Sequence, residues 1–423
     1  MKISYFKLAI QMLRSNWFFS MLSITAIAFT VMIVLVISMQ YEMAIVSQAP
    51  EVNLDRMVVL QRATIKYTER GGMTSSYLGA RLVDTLKANL KVPVAISQQS
   101  STDWNFVGEE GVSTYTLIST DADYWIINQF SFLKGRSFSE EEVASQAKVI
   151  VLSEKLAKCL FPKQEPLGRT VEISGVPFMV VGVVSDVSST CRFAFGELWI
   201  PYSSNGIMDY DNMMDEPYLG SYTLLIMGKS SNDIDAIKAE VKGEVARLAS
   251  SFPKGHEFIV PGPDTSFENF FRGWDPNLNP DSLMSWLQIL ARLIGVMLIP
   301  ALNLIAINLT WIGERASEIG LRKAFGATRL TLVKQLLTEN TIVTLLGGFI
   351  GLLLALGCAS IFRDMLFRPE YGSQSALVNV SISVMPFVVT ILSCFLLSIL
   401  SGLIPALKIT KTEPALVLKG GVR

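Results

Sequence analysis

Histidine is nearly missing: His256 is the only one in 423 residues. That leaves little material for a histidine metal cluster or a Ser-His-Asp site, so no enzymatic activity of the chain's own is expected. His256 follows Gly255 and reads as a surface loop residue. Cysteine is also scarce, with four copies. Cys358 and Cys394 fall in apolar stretches, where a small polarizable side chain packs. Cys159 and Cys191 lie in the polar middle of the chain, and their spacing leaves both the paired and the free state open. Charged residues make up only 17%, and a net charge of −1 excludes the basic surface of a nucleic-acid binder. A P-loop is lacking too: before Gly228-Lys229-Ser230, Thr223 stands where the first glycine of such a loop belongs. The acidic pair Asp121 and Asp123 and the run Glu140 to Glu142 read as solvated loops or the first turn of a helix.

What the chain has in quantity is apolar residues, 50% of the total, too many for an ordinary soluble protein of this length. Four stretches, residues 18–40, 285–312, 341–361 and 381–404, are long enough to cross about 30 Å of hydrocarbon as helices. Lys2, Lys7 and Arg14 precede the first; Arg315, Arg322, Lys323, Arg329 and Lys334 lie between the second and third; Lys408, Lys411, Lys419 and Arg423 follow the fourth. The positive-inside rule then places both termini and the 313–340 loop in the cytoplasm. Residues 41–284 fall outside, joined there by a short loop at 362–380, while 405–423 form a cytoplasmic tail. Ser47-Gln48-Ala49 imitates a signal cleavage site, but the apolar stretch before it is too long for a signal peptide. Over residues 1–17, Ile3, Phe6, Ile10, Leu13 and Trp17 share a helical face, which predicts an amphipathic helix lying in the lipid interface.

The external part carries a repeated strand, helix, strand pattern. Residues 57–60 and 92–96 read as strands around a helix at 77–90 that aligns Leu78, Leu82, Leu86 and Leu90. Residues 222–227 and 257–260 flank a helix at 233–248 that aligns Ile234, Ile237, Val241, Val245 and Leu248. Two such units pair as a split ferredoxin-like sandwich, here about residues 50–98 and 218–262. Between them, about residues 100–215 read as a β-rich insertion, with a hairpin turning at Gly175-Val176-Pro177 and a short helix opened by Ser153 and ended by Pro162. Residues 264–281 form a connector, and Arg292 beyond it reads as a snorkelling or interfacial charge. The predicted fold class is therefore a membrane protein with an α-helical four-span bundle and an α+β extracytoplasmic domain.

The 313–330 stretch, GERASEIGLRKAFGATRL, continues a helical pattern out of the second apolar stretch. Glu318 and Arg322 are four apart with the acid first, the favoured order on a helix. Gly326 offers a stop and Thr328 a cap, and Leu330, Val333 and Leu337 begin a new apolar face. Gly320 costs a helix about 1 kcal/mol relative to alanine, which reads as close approach by another surface. On these residues alone, an elbow binding lipid phosphates and an elbow docking a protein both remain.

The run ERASEIGLRKAFGAT resembles the signature of the FtsX/MacB family of ABC transporter permeases. LKGRSF at 133–138, KVIVLSEKLAKCLFPKQEPLGRTVEISGVPFMVVGVVSD at 148–186 and PALKITKTEPALVLK at 405–419 extend the resemblance over most of the chain. It implies a bacterial inner-membrane permease whose cytoplasmic elbow docks an ABC ATPase. The docking residues it implies are Glu314, Arg315, Glu318, Ile319, Gly320, Leu321, Arg322, Lys323, Gly326 and Ala327. ATP and Mg2+ belong to that ATPase, expected as a separate polypeptide, and this chain binds no cofactor directly. The partners implied are the ATPase subunit, a second permease copy or paralogue forming a dimer, a periplasmic adaptor or other envelope partner, and membrane lipids. The resemblance further implies an external domain divided into a porter part and a sabre part, and ATP-driven closure below that moves it above, a mechanotransmission serving export of peptides, antibiotics, lipoproteins or other envelope substrates. One alternative is a transmembrane regulator of an envelope partner such as a cell-wall hydrolase. An ATP-independent channel or transporter fits least, because the apolar stretches offer Pro300, Asn303, Asn308, Gly347, Gly348 and Gly351 in place of ionisable midplane residues. Asn303 and Asn308 read as hydrogen-bonding between helices, and Gly347, Gly348 and Gly351 as allowing close helix packing.

Overall fold

A computed structural model describes residues 17–69, 71–108, 111–188, 191–204, 217–273, 283–296, 298, 302, 325, 328–362, 384–393, 395–396 and 399. These fall into two units, one between residues 43 and 285 and one formed by the rest. The first element, helix α1 (Trp17–Ile45), contains an apolar stretch at Ser20–Met39 long enough to cross a membrane.

The 43–285 unit is built on thirteen strands: β1 (Met57–Leu60), β2 (Ala63–Tyr67), β3 (Met73–Leu78), β4 (Ala95–Gly108), β5 (Gly111–Thr120), β6 (Phe132–Gly135), β7 (Val149–Ser153), β8 (Thr170–Ile173), β9 (Val176–Val184), β10 (Leu198–Pro201), β11 (Leu219–Gly220), β12 (Thr223–Met227) and β13 (His256–Ile259). Its helices are α2 (Ala80–Asn89), α3 (Asp123–Ile127), α4 (Glu140–Ala144), α5 (Glu154–Leu160), α6 (Ile234–Ser250) and α7 (Ser266–Arg272). The larger sheet runs β1-β12-β4-β5-β10-β7-β9-β6, with β8 on β9, and the smaller runs β11-β3-β2-β13.

Strand alternation explains why β1 and β12 lie deep. Successive side chains point to opposite faces, and here both faces are covered. Val58, Leu60, Leu224 and Ile226 join Leu82, Leu86, Ile237 and Val241 of α2 and α6 in one core. Met57, Val59, Leu225 and Met227 join Tyr124, Phe138, Val151 and Trp199 in another. β4 spans the two halves: Ala95–Gln99 pair with β12, and Gln99–Gly108 pair with β5. The expected boundary at about residues 98–100 thus falls inside one strand, and the two parts share one sheet.

Two expectations change and one hairpin is added. The helix expected over 77–90 begins at Ala80, because β3 runs to Leu78, which pairs with Leu219. Gly79 makes the corner, where a Cβ would stand 2.5 Å from the Pro217 carbonyl oxygen. The hairpin β2/β3 was missing from the sequence reading, although Gly71 and Gly72, both at positive φ, form its turn. Finally, β13 pairs with β2 in the smaller sheet, where a ferredoxin-like frame would set it beside β1. The free side of β1 is met by the backbone of Asp264, which exchanges two hydrogen bonds with Val59 at 2.7 and 3.0 Å.

The second unit adds α8 (Leu283–Val296) and α9 (Arg329–Ile361), and residues 385–393 are also helical. Within α9, Thr341–Ile361 is long and apolar enough to cross a membrane; the other two stretches read as spans are described only in part, and Pro300, Asn303 and Asn308 lie outside the described residues. α1 and α9 meet at small residues. A Cβ on Gly347 would stand 2.8 Å from that of Ile27, and one on Gly351 would stand 2.5 Å from the Ala28 carbonyl oxygen. α8 packs on α1 where Leu293 and Val296 reach Val34, and Arg292 donates to the Tyr41 hydroxyl at 2.8 Å.

Candidate coupling site

The residues expected to dock an ATPase, Glu314, Arg315, Glu318, Ile319, Gly320, Leu321, Arg322, Lys323, Gly326 and Ala327, lie outside the described residues. Their described neighbours are Phe325, 84% exposed, and Thr328. Thr328 adopts extended backbone angles and its Oγ1 accepts from the Thr331 N–H at 3.3 Å, so α9 starts at Arg329 with the cap that the sequence predicts.

The segments by which the chain enters and leaves the 43–285 unit are both held by buried polar groups. The entering segment is fixed through Glu51. Its Oε1 accepts from the backbone N–H groups of Phe193 at 2.5 Å and Ala194 at 2.7 Å. Burial pushes its carboxyl up to about 7, against those two bonds and the Arg192 charge. Beside it, Gln129 donates its N–H to the Pro50 carbonyl at 2.9 Å and Asn53 Nδ2 donates to the Ile127 carbonyl at 2.7 Å. The Tyr124 hydroxyl, which accepts from Trp199 Nε1, donates to the Phe193 carbonyl and braces the receiving loop.

The leaving segment is fixed by two ion pairs. Arg272 donates through Nε and an Nη to the two oxygens of Asp264, at 2.5 and 2.8 Å. Lys238 of α6 meets Glu268 at 2.5 Å, and Glu268 also completes a capping box with Thr265 at the start of α7. Burial alone would raise the Glu268 carboxyl; the Lys238 ammonium and the Thr265 N–H hold it below its ordinary range. No periodicity reveals these groups, since Glu51 and Phe193 are 142 residues apart.

Other residues singled out in the sequence play structural parts. Gly228 donates its N–H to the Arg56 carbonyl, the Lys229 carbonyl accepts from the Arg56 guanidinium, and Ser230 forms a capping box with Asp233. Of the two readings for Asp121 and Asp123, the helix start holds and the solvated loop does not: Asp123 lies in the first turn of α3, and the buried Asp121 accepts from the Tyr124 N–H there, accepts from the Gln98 N–H and pairs with Lys87 at 2.6 Å. Glu142 closes the capping box of α4 with Ser139. His256 opens β13 rather than lying in a loop, with its ring against Tyr67. Cys159 and Cys191 are both free; the first lies beside the Tyr115 hydroxyl and the second points its thiol at the Ala49 carbonyl.

In sequence, the sheet-based 43–285 unit lies between the apolar helices α1 and α8. Residues 20–244 match the MacB-like periplasmic core domain and residues 291–414 match the FtsX-like permease C-terminal region, so the chain belongs to the MacB/FtsX family of ABC transporter permeases. Its relatives include the uncharacterized ABC transporter permease YknZ of Bacillus subtilis, 26% identical over 72% of this chain and 70% of that one. The macrolide export ATP-binding/permease protein MacB of Wolinella succinogenes is 24% identical over 97% of this chain. The chain spans only 60% of that MacB protein's length, and 40% of the MacB of Aggregatibacter actinomycetemcomitans. Among solved structures, the extracellular domain of YknZ is similar over 47% of this chain and 99% of that one, at 16% identity and a TM-score of 0.34. The periplasmic region of MacB from Actinobacillus actinomycetemcomitans covers 47% of this chain and 88% of that one, at 22% identity and a TM-score of 0.33. Scores this low add nothing to the family assignment.

Proposed function

We propose that this chain is the permease of an ATP-driven machine that transmits force from the cytoplasm to the domain at residues 43–285, probing or expelling envelope substrates such as peptides, antibiotics or lipoproteins. The observation that carries this reading is the order of the two family matches, a MacB-like core at 20–244 followed by an FtsX-like region at 291–414 that contains the elbow. Four spans hold the chain in the bacterial inner membrane with both termini inside. The ATPase lies outside these residues and is read as a separate polypeptide that carries the ATP and Mg2+. It docks on Glu314 to Ala327, two permeases form the working dimer, and a periplasmic adaptor or other envelope partner receives the motion.

The fixed junctions support the mechanical part of the reading. A domain driven through its attachment segments must not slip on them, and Glu51 and the Asp264/Arg272 pair tie those segments to strands and loops of the core. Copurification of the full chain with the ATP-binding subunits of its host tests the proposal. Capture of one ATPase supports it, and a folded permease that recovers none contradicts it.

A further inference from the structure

The segment that follows α1 is fastened by a carboxyl group held away from water. Glu51 is only 4% exposed. Two backbone N–H groups share its Oε1, at 2.5 and 2.7 Å, and both come from the 191–194 segment. The titratable and charged groups around it are Arg192, Cys191 and Tyr124. Arg192 favours the carboxylate, whereas burial first and the Glu51 charge second push the Cys191 thiol up, and burial does the same to the Tyr124 phenol. Of the three, only Arg192 carries charge near neutral pH.

The same short segment is held by the Gln129 N–H on the Pro50 carbonyl, by Asn53 on the Ile127 carbonyl and by the Cys191 thiol on the Ala49 carbonyl. Residues 49–53 therefore cannot part from the 191–194 segment without carrying Glu51 into water. In water a glutamate titrates near about 4.3; in this site burial brings it to about 7. Between those two values the fastened state holds a proton that the parted state has released. For a carboxyl raised in this way, fastening is favoured as pH falls through the window and weakened as pH rises toward its upper end.

We propose that the Glu51 junction is a proton-linked fastener: parting residues 49–53 from the 191–194 segment releases a proton to the side the domain faces, and acidification of that side tightens the joint. From the proposed function this takes only the identity of that side; the linkage itself is independent of any ATPase.

The test is hydrogen exchange of the full chain in nanodiscs, comparing wild type with Glu51→Gln, which keeps the neutral shape at every pH. Exchange of residues 191–195 is divided by that of β7, whose residues are all buried. Between about pH 6 and about pH 8 the wild-type ratio should rise roughly tenfold, while Glu51→Gln stays flat. A flat wild-type ratio, or the same rise in Glu51→Gln, overturns the proposal. Arg192→Gln gives a second arm that does not depend on the first variant folding. Loss of the charge that favours the carboxylate must move the wild-type transition to higher pH, and an unmoved transition contradicts the assignment. Neither arm involves ATPase capture, so failure here and failure of the transporter reading are separate results.

Discussion

Asp264 and Arg272 meet in a two-point ion pair, both side chains at or below 7% exposure, at the place where the chain prepares to leave the core domain. Asp264 is also the residue whose backbone closes the open side of β1 through Val59. One residue thus holds a sheet edge through its backbone and the helix α7 through its carboxylate. Removing Arg272 would leave a buried carboxylate without its partner. Arg272→Ala should destabilise the core domain by about 3–5 kcal/mol, and the double change Asp264→Asn with Arg272→Met by much less. Denaturant unfolding of the purified protein measures both, and equal losses would show that the pair is not the anchor.

Glu268 makes a different prediction for pH. Its carboxyl is held low, so its contribution is complete above the ordinary carboxylate range, near about 4.3, and is lost as pH falls through its depressed value in the fold. Lys238→Met removes the ammonium at 2.5 Å and should flatten the acid limb of the stability profile. An unchanged acid limb would assign that limb to other groups.

The α1/α9 seam depends on two positions without side chains. Gly351→Leu drives atoms into the Ala28 carbonyl and Val31, where even a Cβ would stand at 2.5 and 2.7 Å. A loss of about 1–3 kcal/mol or failure to assemble is expected, while Gly357→Leu, whose Cβ position meets nothing within 4 Å, should be tolerated. Thermal stability in nanodiscs separates the two, and similar losses would argue against the seam.

Cysteine labelling tests the free thiols. Cys191 is buried, and burial followed by the Glu51 charge pushes its thiol up, so it should resist maleimide in the folded protein. Cys159 is exposed and should label. Rapid labelling of Cys191, or a disulfide between the two on a non-reducing gel, would contradict the described core.

Legibility followed the range of the interactions. Elements set by local periodicity were readable: the helix aligned on Ile237 and Val241, the Ser153 cap and the turn at Gly175 all stand where the sequence places them. The start of α2 was misplaced because Leu78 is apolar in either a helix or a strand, and only its pairing with Leu219, far along the chain, decides between them. β13 was assigned as a strand, but no pattern in it names β2 as its neighbour. The anchors were invisible for the same reason, since Glu51 and Asp264 look like ordinary surface acids until the fold surrounds them. The elbow is the reverse case: Gly320 and the spacing of Glu318 and Arg322 are plain in the sequence, while their placement lies outside the described residues.

In the proposed function, the elbow after the second apolar stretch receives the motion of an ATPase. The most direct measurement is the ATP hydrolysis rate of the captured ATPase in nanodiscs with wild-type permease, Glu318→Lys and Gly320→Trp. If the elbow is the coupling element, wild type changes the rate from that of the ATPase alone, while both variants lose that effect and the capture, with the core domain still folded. Hydrolysis and capture unaffected by either substitution would contradict the claim and leave the elbow as a lipid-facing surface.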